Sequence, residues 1–218
     1  AGDLFAENGF YNFSDPIFKA TFLRFAEALA RGHIVLSDLY SNTQVMTGEV
    51  LSGIGSSAAI LYYNDTVTYE DGTSEPMQLT VLPLPHVAGK QPRITQAGVG
   101  LCAYKTTSQK AEAAAVFVKW LTEPQRNLDF ACEAGYMPVT NGAFDKIDAH
   151  TFRSDAYRAL YTALQAASAD AAVVSEQQSP DYYSHIYAFY DMLRTEQKSF
   201  GADRDAAATA ADLWRRLG

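Results

Sequence analysis

Cysteine is nearly absent from this chain: 218 residues contain only Cys102 and Cys132. Two thiols cannot build the disulfide framework of a small secreted scaffold, and neither has the neighbouring ligands of a zinc knuckle. Histidine is also sparse. His33, His86, His150 and His185 are too dispersed to show metal-ligand spacing, so no metal and no cofactor is expected. No apolar run approaches the ~20 residues needed to span a bilayer. The opening AGDLFAENGF lacks the basic and apolar regions of an export signal, so any such signal is expected to have been removed. Positive charge is in deficit, with 17 Lys and Arg against 25 Asp and Glu, a net charge of -8. The acids are scattered rather than gathered in a tail, and nucleic acid is therefore not an expected partner. No internal repeat or low-complexity linker is visible.

What remains, at 48% hydrophobic and 19% charged residues, suits a globular chain able to bury a substantial core in one domain or two. Pro16 to Ala30 predicts a helix with Phe18, Phe22, Phe25, Ala26 and Leu29 on one face, Asp15 as its cap and Gly32 as its stop. Leu39 to Leu51 is weakly helical and interrupted at Gly48. Met77 to Leu84 predicts a short strand whose Val81, Leu82 and Leu84 enter a core, ended by Pro83 and Pro85. AGVGLCAY, opening at Gly98 and Gly100, predicts another strand containing Cys102; this thiol and Cys132 are both expected to be buried. Ser154 to Ala167 predicts a core helix through Tyr157, Leu160, Tyr161 and Leu164. Tyr183, Tyr187 and Tyr190 form a helical stripe expected mainly to pack, and Asp203 to Leu217 predicts an alanine-rich closing helix.

The stretch from Lys110 to Thr140 carries the most functional information. Ala111 to Leu121 predicts an amphipathic helix whose Ala115, Val118 and Leu121 recur at helical spacing. Thr122 then stands where an N-cap would, with Pro124 in the first turn and Gln125 at the capping-box position. The second helix should run to about Glu133 and end at a left-handed Gly135. Tyr136 follows on a segment held extended by the restriction that Pro138 places on Met137. A ring so mounted can offer its face to a sugar and its hydroxyl to a hydrogen bond. Packing is the commoner role of a loop tyrosine considered alone. In SGIGSSAAI, the glycines permit close backbone approach while Ser56 and Ser57 offer hydroxyls to a polar ligand, although such residues also mark ordinary turns.

The order of these elements resembles the C-terminal part of family 1 extracellular solute-binding proteins, the sugar-binding components of ABC importers. The matching pieces are ARGHI, TGEVLSGIGSSAAI, VLPLP, AGVGLCAYKTTSQKAEAAAVFVKWLTEP, EAGYMPVT and the closing helix. The resemblance implies an α/β, type II periplasmic-binding-protein-like fold, here its C-terminal portion, helix-rich with a small mixed sheet. Residues 1–218 would form the C-terminal part of a two-lobe protein, mostly the second lobe with crossover elements of the first.

The implied function is capture of a small carbohydrate between lobes, without covalent chemistry, for delivery to ABC permease subunits in the membrane. The implied location is extracellular, as a membrane-anchored lipoprotein, or periplasmic. By the same resemblance Ser56, Ser57, Gly98 and Tyr136 are ligand positions, and Tyr183 and His185 lie near a late helix that can close the cleft. Arginine is missing near Gln177 to Asp181, where glycerol-phosphate binders carry one, which favours a neutral sugar. Trp120 and Trp214 do not occupy the places of the tryptophans of maltose-type members. Two other readings compete: a hydrolase using Ser56 or Ser57, although GIGSS lacks the G-x-S-x-G elbow, and a sensor or adhesin module without transport. Apolar surfaces normally covered by the rest of such a protein are expected to drive self-association.

Overall fold

The computed structural model describes residues 12–104, 107–174, 181–201 and 203–217. The chain forms two compact units, one from Ala1–Asp38 with Gln177–Gly218 and the other from Leu39–Glu176. The opening AGDLFAENGF, Lys105 and the expected extended entry around Pro180 lie outside the described residues.

The first unit is helical. Helix α1, Pro16–Ala30, begins where its sequence predicts, because the Asp15 carboxylate accepts from Ile17 N at 2.7 Å and Phe18 N at 2.8 Å. Pro16, with no N–H to satisfy, occupies the first turn at no cost in hydrogen bonding. Phe22, Ala26 and Leu29 are buried on the predicted face, with Phe18 and Phe25 partly covered. They meet Ala210 and Leu213 of the closing helix and Leu193 of the helix before it. Trp214 packs its ring 5.3 Å from Phe22 and 5.5 Å from Phe18. Burying each such large apolar side chain stabilises the fold by about 1.5–3 kcal/mol.

The helix over Tyr182–Gln197, which we number α7, does not pack through its tyrosine stripe as expected. Tyr183 and Tyr187 are 55% and 63% exposed, whereas Phe189, Met192 and Leu193 face the core. Those apolar side chains need no polar partner for burial and so take the inner face. Tyr190 instead uses its hydroxyl, donating to Ser37 O at 2.7 Å and accepting from Ser37 N at 3.1 Å. Gln197 clamps the same strand of chain, donating to Ile34 O and accepting from Leu36 N. The closing helix α8, Ala206–Leu217, starts later than the predicted Asp203 because the Asp205 carboxylate caps it by accepting from Ala208 N. Arg216 ties α8 to α7 through a two-pronged hydrogen bond to Glu196, which holds that carboxyl below the usual range.

The second unit contains α2, Ser41–Met46, then a 3-10 helix, Ser57–Tyr62. Strands β1, Thr66–Thr68, and β2, Ser74–Pro76, form an antiparallel hairpin. Strands β3, Arg93–Thr95, and β4, Ala172–Val174, pair in parallel. Between them lie α3, Ser108–Leu121, α4, Pro124–Ala134, α5, Asn141–Phe144, and α6, Asp155–Asp170. Helix-rich organisation with little sheet, both parallel and antiparallel, matches the expected class. The core gathers Ile60, Leu128, Ala131, Cys132, Ile147, Leu160 and Tyr161. Ser154 caps α6 by accepting from Tyr157 N, and the predicted Tyr157, Leu160 and Tyr161 face is buried.

Several expectations for this unit are corrected. Met77 to Leu84 forms no strand, and Leu79 and Val81 pack against the core while Leu82 is 78% exposed. Pro83 and Pro85 remove the N–H donors that a ladder at this end would need. Gly98 to Tyr104 likewise forms no strand and is exposed, so Cys102 is an exposed thiol while Cys132 is buried. A strand needs the hydrogen bonds of a neighbouring strand, and among the described residues the strand pairs are β1 with β2 and β3 with β4, neither of which includes these segments. Helix α3 forms as predicted but buries none of its residues. Val116, Phe117 and Trp120 stay at least half exposed, and Phe117 stacks on Trp120. Thr122 is the C-cap of α3, donating its hydroxyl to Val118 O; Glu123 is the N-cap of α4 and accepts from Arg126 N.

Candidate functional site

Helix α4 mounts the candidate loop on one rigid support. Its inner face buries Asn127, Leu128, Ala131 and Cys132, and it ends in Gly135 at φ 67°. The next residue, Tyr136, donates its backbone N–H to Ala131 O at 3.1 Å. From α6, the Tyr161 hydroxyl donates to both Ala131 O, at 2.5 Å, and Tyr136 O, at 2.9 Å. Three residues on, Val139 N donates to Asn127 Oδ1 at 2.9 Å. Thr140 then caps α5 by accepting from Ala143 N. The loop is thus tied to the core at both ends while Tyr136 itself remains 43% exposed.

Burial sets the ionisation of the groups beneath this loop. Cys132 is pushed up to about 11, mainly by desolvation, and Tyr161 is raised further for the same reason. Both are neutral at physiological pH, so Tyr161 is available as a hydrogen-bond donor.

The serine turn meets this loop directly. Ser56 is exposed at the N-terminus of the 3-10 helix and makes no side-chain cap hydrogen bond; Ser57, its first residue, is partly buried. A Cβ placed on Gly135 would sit 2.9 Å from Ala58 Cα and 3.2 Å from Ile60 Cγ2. Only glycine lets these backbones touch, and the contact brings Ser57 and Tyr136, each next in sequence to one partner, into the same neighbourhood. Gly98 does not join them: nothing lies within 4 Å of where a Cβ would stand.

Tyr183 and His185 belong to the first turns of α7 in the other compact unit. The Tyr183 ring lies 5.2 Å from Tyr182 edge-to-face and 6.4 Å from Tyr187 in a stacked orientation. His185 N donates to Asp181 O as the helix begins.

Two open concavities lie elsewhere in the second unit. One is lined by Gln125, Asp129, Lys146 and His150, the other by Gly48, Glu49, Tyr69 and Asp71. Neither is lined by Ser56, Ser57 or Tyr136. Among the described residues, no group of three or more His, Cys, Asp or Glu is placed to hold a metal ion, and no helix is long and apolar enough to cross a membrane.

Asn127 and Tyr161 are the site residues that sequence reasoning missed. The apolar period marks Tyr161 as buried, yet it carries no information on which carbonyl the hydroxyl reaches. Asn127 is a polar residue on an otherwise apolar inner face, and that mismatch is the signal that points to it.

The chain belongs to the bacterial extracellular solute-binding proteins, whose family model matches residues 19–160, more than half its length. Its helix-rich architecture with small sheets is part of an α/β periplasmic-binding-protein-like fold. Membership makes it a solute-binding component of ABC-type transport, acting outside the cytoplasm on a small-molecule ligand with permease subunits as partners. No curated protein matches the chain.

Proposed function

We propose that the chain provides one wall of a cleft that binds a neutral carbohydrate for ABC-type import. The carrying observation is Tyr136, a half-exposed ring on a loop anchored at both ends, beside the serine turn. Its face packs on a sugar ring while Ser56 and Ser57 hydroxyls meet sugar hydroxyls, a division of labour usual in small-molecule sites. Capture works by lobe closure, which requires tighter binding to the closed state than to the open one.

In this reading residues 1–218 are the C-terminal part of a two-lobe protein that is a membrane-anchored lipoprotein or periplasmic. The exposed apolar residues of α3 support it, since a helix with Val116, Phe117 and Trp120 in water implies a covering surface. The isolated chain should therefore self-associate, and sedimentation showing a monomer at high concentration would count against that part.

Calorimetry on the full-length protein, across neutral oligosaccharides, glycerol phosphates and polyols, tests the function. Saturable binding of a neutral sugar is expected, and Tyr136→Ala should weaken it by about ten-fold, equivalent to ~1.4 kcal/mol. Preference for a glycerol phosphate, or no binding of any carbohydrate, would overturn the assignment.

A further inference from the structure

We propose that Tyr161 is a positioning residue for the ligand wall, its buried hydroxyl setting the backbone from which the Tyr136 ring projects. The inference rests on the reading of Tyr136 as a ligand contact and assigns the element that holds it.

Three features converge on Tyr161. It is fully buried, with its ring stacked 5.4 Å from Phe152 at an interplanar angle of 20°, so the hydroxyl has little freedom to point elsewhere. That hydroxyl has a single proton, shared between Ala131 O and Tyr136 O in a three-centre bond. Ala131 O also accepts from the N–H groups of Gly135 and Tyr136. Both backbone polar groups of Tyr136 are consequently fixed at one buried point, the N–H through Ala131 and the carbonyl through Tyr161. Replacing the hydroxyl by hydrogen leaves the Tyr136 carbonyl without this donor, and the loop regains a partner only by turning that carbonyl toward water. Asn127, which holds Val139, remains in place, so release is confined to the Tyr136 end of the loop.

Tyr161→Phe preserves the ring and removes only the donor. In the full-length protein, calorimetry with maltotriose, raffinose and cellotriose compares wild type, Y161F, Y136A and the double variant. Amide hydrogen exchange is followed in the ligand-free proteins, and urea midpoints are taken alongside. Y161F should weaken binding about three- to ten-fold, and in the Y136A background it should add less than about two-fold, because the ring it positions is gone. Exchange at Tyr136 and Met137 should accelerate about ten-fold or more, while core amides of α6 keep their protection. An equal loss of affinity in both backgrounds would make Tyr161 merely structural and overturn the proposal. Unchanged loop exchange in Y161F would overturn it as well. If Y136A leaves affinity intact, or none of the three sugars binds, the ligand reading of Tyr136 fails. Hydrogen exchange then still decides whether Tyr161 holds the loop.

Discussion

Substituting Gly135 by alanine tests the contact on which the candidate site is built. At φ 67° an alanine occupies the left-handed region, which costs an L-residue about 1–2 kcal/mol. The new methyl group also falls 2.9 Å from Ala58 Cα, 3.2 Å from Ile60 Cγ2 and 3.4 Å from Leu61 Cγ. The nearest of these atoms is backbone and cannot rotate aside, so overpacking adds ~1–3 kcal/mol. The sum is about 2–5 kcal/mol. Gly72→Ala is the matched control, for it lies in the same unit at φ 82° with nothing within 4 Å. It carries only the conformational part. With a urea m-value of ~2 kcal/mol/M, the midpoint followed by circular dichroism should fall by about 1–2.5 M for G135A and about 0.5–1 M for G72A. Equal midpoints for the two variants would refute the packing of the Tyr136 loop against the 3-10 helix.

Thiol labelling should find one fast cysteine in the native protein, Cys102, and a second, Cys132, only after denaturation; two fast thiols would contradict the burial of α4. Folding stability should fall as pH rises from 9.0 toward 11, because desolvation raises Cys132 to about 11 and the unfolded chain gives up that proton first. Cys132 accounts for about 2–3 kcal/mol of the loss, so Cys132→Ala should remove that share and keep the part that the raised Tyr161 hydroxyl adds above pH 10.0, as denaturant titrations at successive pH values will read out. Asp15→Ala removes the acceptor for Ile17 N and Phe18 N and should cost ~1 kcal/mol, with faster exchange confined to those amides. Unchanged exchange there would mean that the cap contributes nothing.

Helices were legible where the chain carries its own instructions. Asp15 before Pro16, Ser154 before the Tyr157 face, and Gly135 after α4 each act within a few residues, so local sequence suffices. The cap of α4 was read one residue early because Thr122 is the better capping side chain. Pro124 decides the matter, since proline favours the first helical position and leaves Glu123 as the cap. Strands were not legible in the same way. Residues 77–84 and 98–104 have the composition of strands, but a strand exists only with a partner, and that depends on the neighbouring chain rather than on the segment. The site shows the same division. Tyr136 is singled out by its loop and the serine turn by its composition. Their adjacency rests on a glycine contact, and the anchoring of Tyr136 on a hydroxyl arriving from α6, both beyond the reach of any local pattern.

The first compact unit joins α1 to α8 across the entire second unit, with consequences for synthesis. Helix α1 leaves the ribosome with Phe22, Ala26 and Leu29 uncovered, because Ala210 and Leu213 are translated only after everything between Arg31 and Asp205. At ~5–20 residues per second that interval lasts on the order of ten seconds or more. The middle unit has all its own core residues in hand long before then. Birth order therefore favours the middle unit folding first, with α1 left as a nascent apolar segment for a chaperone to shield until the last helix emerges.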